Sequence, residues 1–114
     1  MDRKTEVIAL IKNDFMKCQK ILSALGHETR QAIIVALIES TCDSGLRIGE
    51  ITNLTHISKQ AVSHHLKVLR DSEIVSTRKE GTMTFYHIDV HSKLGLLSML
   101  TDHMREALKE FYGI

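Results

Sequence analysis

At 114 residues the chain is long enough for one domain with a buried core, and 43% hydrophobic and 25% charged residues are ordinary for a globular protein. A net charge of +1 excludes the strongly basic class of nucleic-acid-binding proteins, and two cysteines are too few for a disulfide-stapled domain. Because no apolar run approaches the roughly 18–20 residues that cross a bilayer and the N-terminus lacks a signal-peptide pattern, we expect a cytoplasmic protein without membrane contact.

Two helices are predicted in the first 40 residues. From about Asp2 to Leu25, apolar residues recur in steps of three and four, and Gly26 follows where a helix commonly ends. This stripe consists of Val7, Ile11, Phe15, Cys18, Leu22 and Leu25. Thr29 is the expected N-cap of a second helix, which the segment TCDSG ends. The apolar residues Ile33, Ile34, Leu37 and Ile38 predict that this helix is buried.

Residues 47–71 predict a helix-turn-helix. A strand-like entry leads into a short helix around GEITNL, a tight connection of three residues follows, and Ser58 caps the next helix, which runs to about Asp71. Residues 74–88 then predict a hairpin, because IVSTRK and MTFYHI alternate around Glu80-Gly81-Thr82. The register places Thr84, Tyr86 and Ile88 on one face, which we expect to cover the core.

A last helix is predicted from near Ser92 to residue 112, with an apolar stripe of Leu94, Leu97, Leu100, Met104, Leu108 and Phe111. One small core has little need of two long amphipathic terminal helices, so we expect residues 1–25 and 92–112 to form a homodimer; the alternative is that they cover the core of a monomer. The predicted fold is one domain, residues 1–114, mostly α with a small β-hairpin wing.

The second helix of the helix-turn-helix carries the chemistry expected of a DNA-reading helix. Val62, Leu66 and Leu69, with Ala61, attach it to the core, and His65 lies at the boundary. The residues expected to contact DNA are Ser58, Lys59, Gln60, Ser63, His64 and Lys67 on this helix, and Arg78 and Lys79 on the wing. Glutamine can pair with adenine through two hydrogen bonds, lysine with guanine or phosphate, and basic wing residues with phosphate or the minor groove.

Three segments resemble the ArsR family of bacterial winged helix-turn-helix regulators. ALGHETRQAIIVALIE is similar to the family's opening, SKQAVSHHLKVLRDSEIV to its recognition helix and EGTMTFYHID to its wing. The resemblance implies a homodimeric, DNA-binding transcriptional regulator, usually a repressor, which in many members is released by a metal ion or by thiol oxidation. One departure is Glu73, since the family commonly has glycine there.

The resemblance also implies where a signal would bind. The cysteine pair of the family's arsenic sensors has no counterpart in GEITNL, but Asp89 and His91 match the first half of the zinc-type site. Its second half would begin at Asp102, whose partner position holds an arginine; His103 and Glu106 have the right spacing but are shifted by one residue. Zinc or another divalent metal is therefore a possible effector, and the alternative is that Asp89 caps the last helix and the others are solvated.

Two further alternatives concern the class of function. Cys18 and Cys42 would form a redox switch only if they are close, and a lone cysteine on an apolar face is more often a core residue. No phosphate-binding glycine loop, nucleophile elbow or complete metal tetrad indicates an enzyme. The competing hypothesis to a DNA-binding regulator is a winged-helix module that binds proteins, and a steep loss of affinity with salt would favour DNA. A repressor without any small inducer also stays open.

Overall fold

The computed structural model describes residues 2–40, 45–89, 91 and 93–113. The helices are α1 (Arg3–Leu25), α2 (Glu28–Glu39), α3 (Ile48–Thr55), α4 (Lys59–Asp71) and α5 (Gly95–Tyr112), and strands β1 (Val75–Glu80) and β2 (Met83–Ile88) form an antiparallel hairpin. This mostly helical fold with a two-stranded wing confirms the predicted fold class. Over the described residues, no single helix is long and apolar enough to span a membrane, and only the bent pair α1 and α2 reaches that length and composition together.

The chain divides into two compact units. The central unit, residues 21–92, contains the end of α1, helices α2 to α4 and the hairpin, and the terminal unit contains residues 1–20 and 93–114. The core of the central unit is apolar and is built mainly from α2, α3, α4 and the start of the hairpin. Its most deeply buried members are Ile33, Ile51, Val62, Leu66, Leu69, Ile74 and Val75.

Helix α2 begins two residues earlier than the sequence predicted. Its N-cap is His27, whose Nδ1 accepts a hydrogen bond from the Thr29 N–H at 3.1 Å, so the prediction of Thr29 as the cap is wrong. An imidazole acceptor satisfies the same first-turn amide that a hydroxyl would satisfy. Ile33 and Leu37 are buried as predicted, whereas Ile38 is 66% exposed, because the helix presents that side to solvent.

The connection from α4 to the wing is a Schellman motif that lacks the usual glycine. The Glu73 N–H donates to the Arg70 carbonyl and the Ile74 N–H donates to the Leu69 carbonyl, at 2.9 and 3.0 Å. Glu73 has the left-handed conformation with φ of 62° that this position requires. The departure from the family's glycine therefore changes the residue at this turn but not the turn itself.

The wing is joined to the segment before α3 by backbone hydrogen bonds. Leu46 and Tyr86 exchange N–H···O bonds of 2.9 and 2.7 Å, which form the predicted strand-like entry. Gly45 has a φ of +87°, and a Cβ there would lie 2.5 Å from the Tyr86 carbonyl oxygen. Gly81 provides a second positive φ at the hairpin turn, as predicted. Residues 84–88 are all half-buried, so burial does not single out the face that the sequence assigned to the core.

The last helix begins at Gly95 rather than near Ser92, which lies outside the described residues. Its N-cap residue is Leu94, so Asp89 does not cap it. Asp89 instead accepts the His91 N–H at 2.8 Å in the turn that leaves β2. In the described part of the terminal unit, α1 and α5 leave several large apolar side chains exposed: Ile8, Phe15, Met16, Met99, Met104, Leu108, Phe111 and Tyr112.

Candidate nucleic-acid interface

Helix α4 has one buried face and one exposed polar face. Ser58 caps it as predicted, since its Oγ accepts the Ala61 N–H at 3.2 Å. The buried face consists of Val62, Leu66 and Leu69, none more than 1% exposed. All six residues predicted to contact DNA from this helix are exposed: Ser58, Lys59, Gln60, Ser63, His64 and Lys67. Because they recur at helical spacing, the structure brings them together on one surface next to the wing.

The two basic residues of the wing differ in their surroundings. Arg78 is half-buried, with its guanidinium 4.6 Å from the centroid of the Phe85 ring and Nη1 2.5 Å from the Glu80 carboxylate. Lys79, the next residue on the strand, is exposed. The charge of Arg78 is therefore partly balanced by a neighbouring acid and its side chain is held in place, whereas Lys79 extends into solvent.

Sequence reasoning missed Arg70, which lies beside the predicted surface. A shallow cavity of about 410 Å³ is lined by Ser63, Lys67, Arg70, Asp71 and Tyr86. The signal was available, since Arg70 follows Lys67 by three residues and therefore shares its side of the helix.

Arg30 and two histidines connect α4 to α2 and to the end of α1. The Arg30 guanidinium donates to the Ala24 and Ser23 carbonyls at the end of α1, at 2.7 and 3.0 Å, and its Nη1 lies 3.3 Å from His65 Nδ1. The His27 and His65 rings are 4.7 Å apart. Burial lowers the pKa of His65 below its ordinary value of 6.5, and the positive charges of His27, Arg30 and His64 lower it further. His65 is thus a boundary residue, as predicted, that favours the neutral form.

The metal-ligand candidates are engaged in contacts of their own. His103 Nδ1 lies 2.5 Å from the buried Asp14 carboxylate, Glu106 accepts hydrogen bonds from Arg3, and Asp102 pairs with Arg105 at 3.1 Å. Half-buried His103 therefore does not lie on a fully solvated face, contrary to that alternative. Across the described segments, no group of three or more His, Cys, Asp or Glu side chains is arranged to hold a metal ion.

Of the two cysteines predicted as a possible redox pair, the structure describes one, Cys18. Cys18 is completely buried in α1 and is a free thiol. Cys42 lies outside the described residues, so the structure does not test the pair. Complete burial is the usual environment of a cysteine that acts as a small core residue.

Known proteins share this fold and are similar to this chain in sequence. Residues 27–77 match the family described as bacterial regulatory protein, arsR family. The cadmium resistance transcriptional regulatory protein CadC homolog of Staphylococcus aureus is 30% identical over 97 residues, which is 85% of this chain and 78% of that protein. The HTH-type transcriptional regulator Rv2034 of Mycobacterium tuberculosis is 37% identical over 79 residues, which is 69% and 67% of the two chains.

A solved structure gives the same result. Reduced HlyU from Vibrio cholerae superimposes with a TM-score of 0.60 and 30% identity, covering 89% of this chain and 94% of that one. The family match over residues 27–77 includes helix α4 and the start of β1, and the two relatives are named as transcriptional regulators. The chain belongs to the arsR family of bacterial regulatory proteins and is a DNA-binding transcriptional regulator.

Proposed function

We propose that this regulator is a homodimeric repressor that acts in the cytoplasm on an inverted-repeat operator. The observation that carries the proposal is the exposed polar face of α4, which three buried apolar residues fix to the core. Gln60 and His64 read base edges near the start of this helix, and Lys59, Lys67 and Lys79 contact phosphate. Ser58 and Ser63 bind base or backbone, and Arg78 supports the wing tip.

The terminal unit supplies the dimer surface. Phe15 on α1 is 43% exposed, and Met104 and Leu108 on α5 are 43% and 46% exposed. Several large apolar side chains exposed on the two helices of one unit point to an interface, and a second copy is the occupant that gives two recognition helices related by two-fold symmetry. Two such helices would read half-sites whose centres are about one helical turn apart.

The dimer is tested by sedimentation velocity on the Phe15→Asp and Leu108→Asp variants. We expect both to sediment as monomers at concentrations where the wild type is a dimer, because an aspartate buried in an apolar interface loses its hydration. Ile38→Asp is the matched control, since Ile38 is an exposed apolar residue of the central unit. A monomeric wild type would contradict the proposal.

Footprinting of the region upstream of the gene tests the operator and the signal together. We expect protection of a symmetric site by the protein alone. The experiment is repeated with zinc, cadmium and an oxidant. Because His103 and Glu106 are engaged by Asp14 and Arg3, we expect zinc to leave the footprint unchanged. Loss of protection with zinc or with oxidant would instead assign the metal or the cysteine candidates as the sensor.

A further inference from the structure

A groove separates the first turn of α3 from the wing. Its volume is about 520 Å³, and its side chains come from three different elements. Helix α3 and the residue before it contribute Arg47, Thr52 and Asn53, the start of α4 contributes Lys59, and the hairpin contributes Thr82 and Thr84.

The walls of this groove are held in position by hydrogen bonds. The bridge between Leu46 and Tyr86 joins the segment before α3 to strand β2. Next to it, the Arg47 guanidinium lies 3.4 Å from the sulfur of Met83, which also lines the groove. The distance between the α3 wall and the wing wall is therefore set by the fold before any ligand arrives.

The chemistry of the groove suits an anion. Arg47 and Lys59 are both positive, and no acidic side chain is among the lining residues that the structure describes. Glu50 lies outside the lining, where its carboxylate accepts the Arg47 backbone N–H at 3.0 Å and lies 3.6 Å from Nε. The Arg47 side chain nevertheless stays 52% exposed, so its fork of N–H donors is accessible to a ligand.

The position of the groove identifies the anion. Lys59 lines the groove and also belongs to the exposed face of α4 proposed to meet DNA. When α4 enters the major groove, the strand that borders it passes the first turn of that helix and the wing. We propose that this groove binds one phosphate of the DNA backbone per subunit, with Arg47 as its main contact and Lys59 opposite. This inference rests on the proposed function.

The test compares Arg47→Met and Arg47→Lys on a labelled duplex that carries the footprinted site. Methionine keeps the length and the apolar contact with the wing but removes the charge, so we expect about tenfold weaker binding at physiological salt. The slope of log K against log salt should fall by about 0.9 for each lost phosphate contact, or by about 1.8 for a dimer. Arg47→Lys should retain most of the slope. Lys20→Ala, an exposed charge removed from α1, should change it little.

Phosphate ethylation interference identifies the contact itself. For the wild type, we expect ethylation of one phosphate per half-site to block binding, and the same modification should have no effect on Arg47→Met. Unchanged affinity and slope for Arg47→Met on a duplex that the wild type binds would overturn this inference alone. Failure of the wild type to bind any duplex would overturn the proposed function. A lower affinity with an unchanged slope and interference pattern would assign Arg47 a structural role and also reject the phosphate contact.

Discussion

Replacing His103 with alanine should destabilise the protein by about 2–4 kcal/mol, because it leaves the Asp14 carboxylate buried without its partner. The Asp14 side chain is 6% exposed and lies 2.5 Å from His103 Nδ1. Removing one partner of a buried pair typically costs about 3–5 kcal/mol. His103 is 20% exposed, so water can reach the vacated position and the expected cost lies toward or below the lower end of that range.

Thermal and urea denaturation measure this cost. At about 2.1 cal/mol/K of unfolding entropy per residue, 114 residues give about 0.24 kcal/mol/K, so each kcal/mol corresponds to about 4 °C in Tm. His103→Ala should therefore lower Tm by about 8–16 °C. The variants are compared at one protein concentration, because the Tm of a protein that dimerises depends on concentration. Glu106→Ala is the matched control, because it removes a partly exposed pair with Arg3 worth at most about 1 kcal/mol.

A double variant separates the pair from its environment. Replacing Asp14 and His103 together with leucine removes the unpaired charge, so we expect most of the loss in the free energy of unfolding to be recovered. If His103→Ala costs no more than Glu106→Ala, the contact with Asp14 does not stabilise the terminal unit and the reasoning is refuted.

Three further predictions concern the central unit. The pKa of His65 is lowered on folding, so its contribution to the free energy of unfolding is complete above pH 6.5 and is lost as the pH falls through the folded-state pKa. Urea unfolding measured between about pH 7 and 5 should therefore show a smaller decline in the free energy of unfolding for His65→Gln than for the wild type. Gly45→Ala should lower the free energy of unfolding by at least about 2 kcal/mol, since the new Cβ would meet a carbonyl oxygen at 2.5 Å, whereas Gly49→Ala, with open space around it, should raise it by about 0.5–1 kcal/mol. In binding titrations, Gln60→Ala should weaken operator binding more than binding to a random duplex, and Lys79→Ala should weaken both; equal losses for Gln60→Ala would reject its role in base reading.

The elements of the central unit were predictable because local signals agree with one another. Ser58 precedes an apolar repeat that ends at Leu69, and Gly81 lies between two alternating segments. The capping residue and the apolar repeat predict the same helix, and the turn residue and the alternating segments predict the same hairpin. Tertiary packing then adds to these local preferences and does not override them. The exposed face of α4 follows directly, since the positions between the buried ones must face outward.

Side-chain partners were less predictable, because they depend on residues far away in sequence. Nothing in the local pattern around His103 indicates that a carboxylate 89 residues earlier accepts its hydrogen bond. The same holds for Arg47, whose contact with Met83 exists only once the wing is folded against the segment before α3. Asp14 carried no signal in the sequence, because a carboxylate beside an apolar stripe is ordinarily assigned to the surface, yet it is only 5% exposed.

The modest charge of the DNA-facing segment is an argument for symmetry. Residues 47–88 carry six Lys and Arg against four Asp and Glu, and Arg78 lies against one of those acids. Affinity for DNA grows with the number of phosphates that a complex neutralises, so one subunit with so few unbalanced cations would bind weakly at physiological salt. A dimer doubles that number without adding charge to the chain, and it confines strong binding to sites where two half-sites have the correct spacing. The homodimer proposed above would therefore account both for the exposed apolar side chains of the terminal unit and for the modest charge of the central unit.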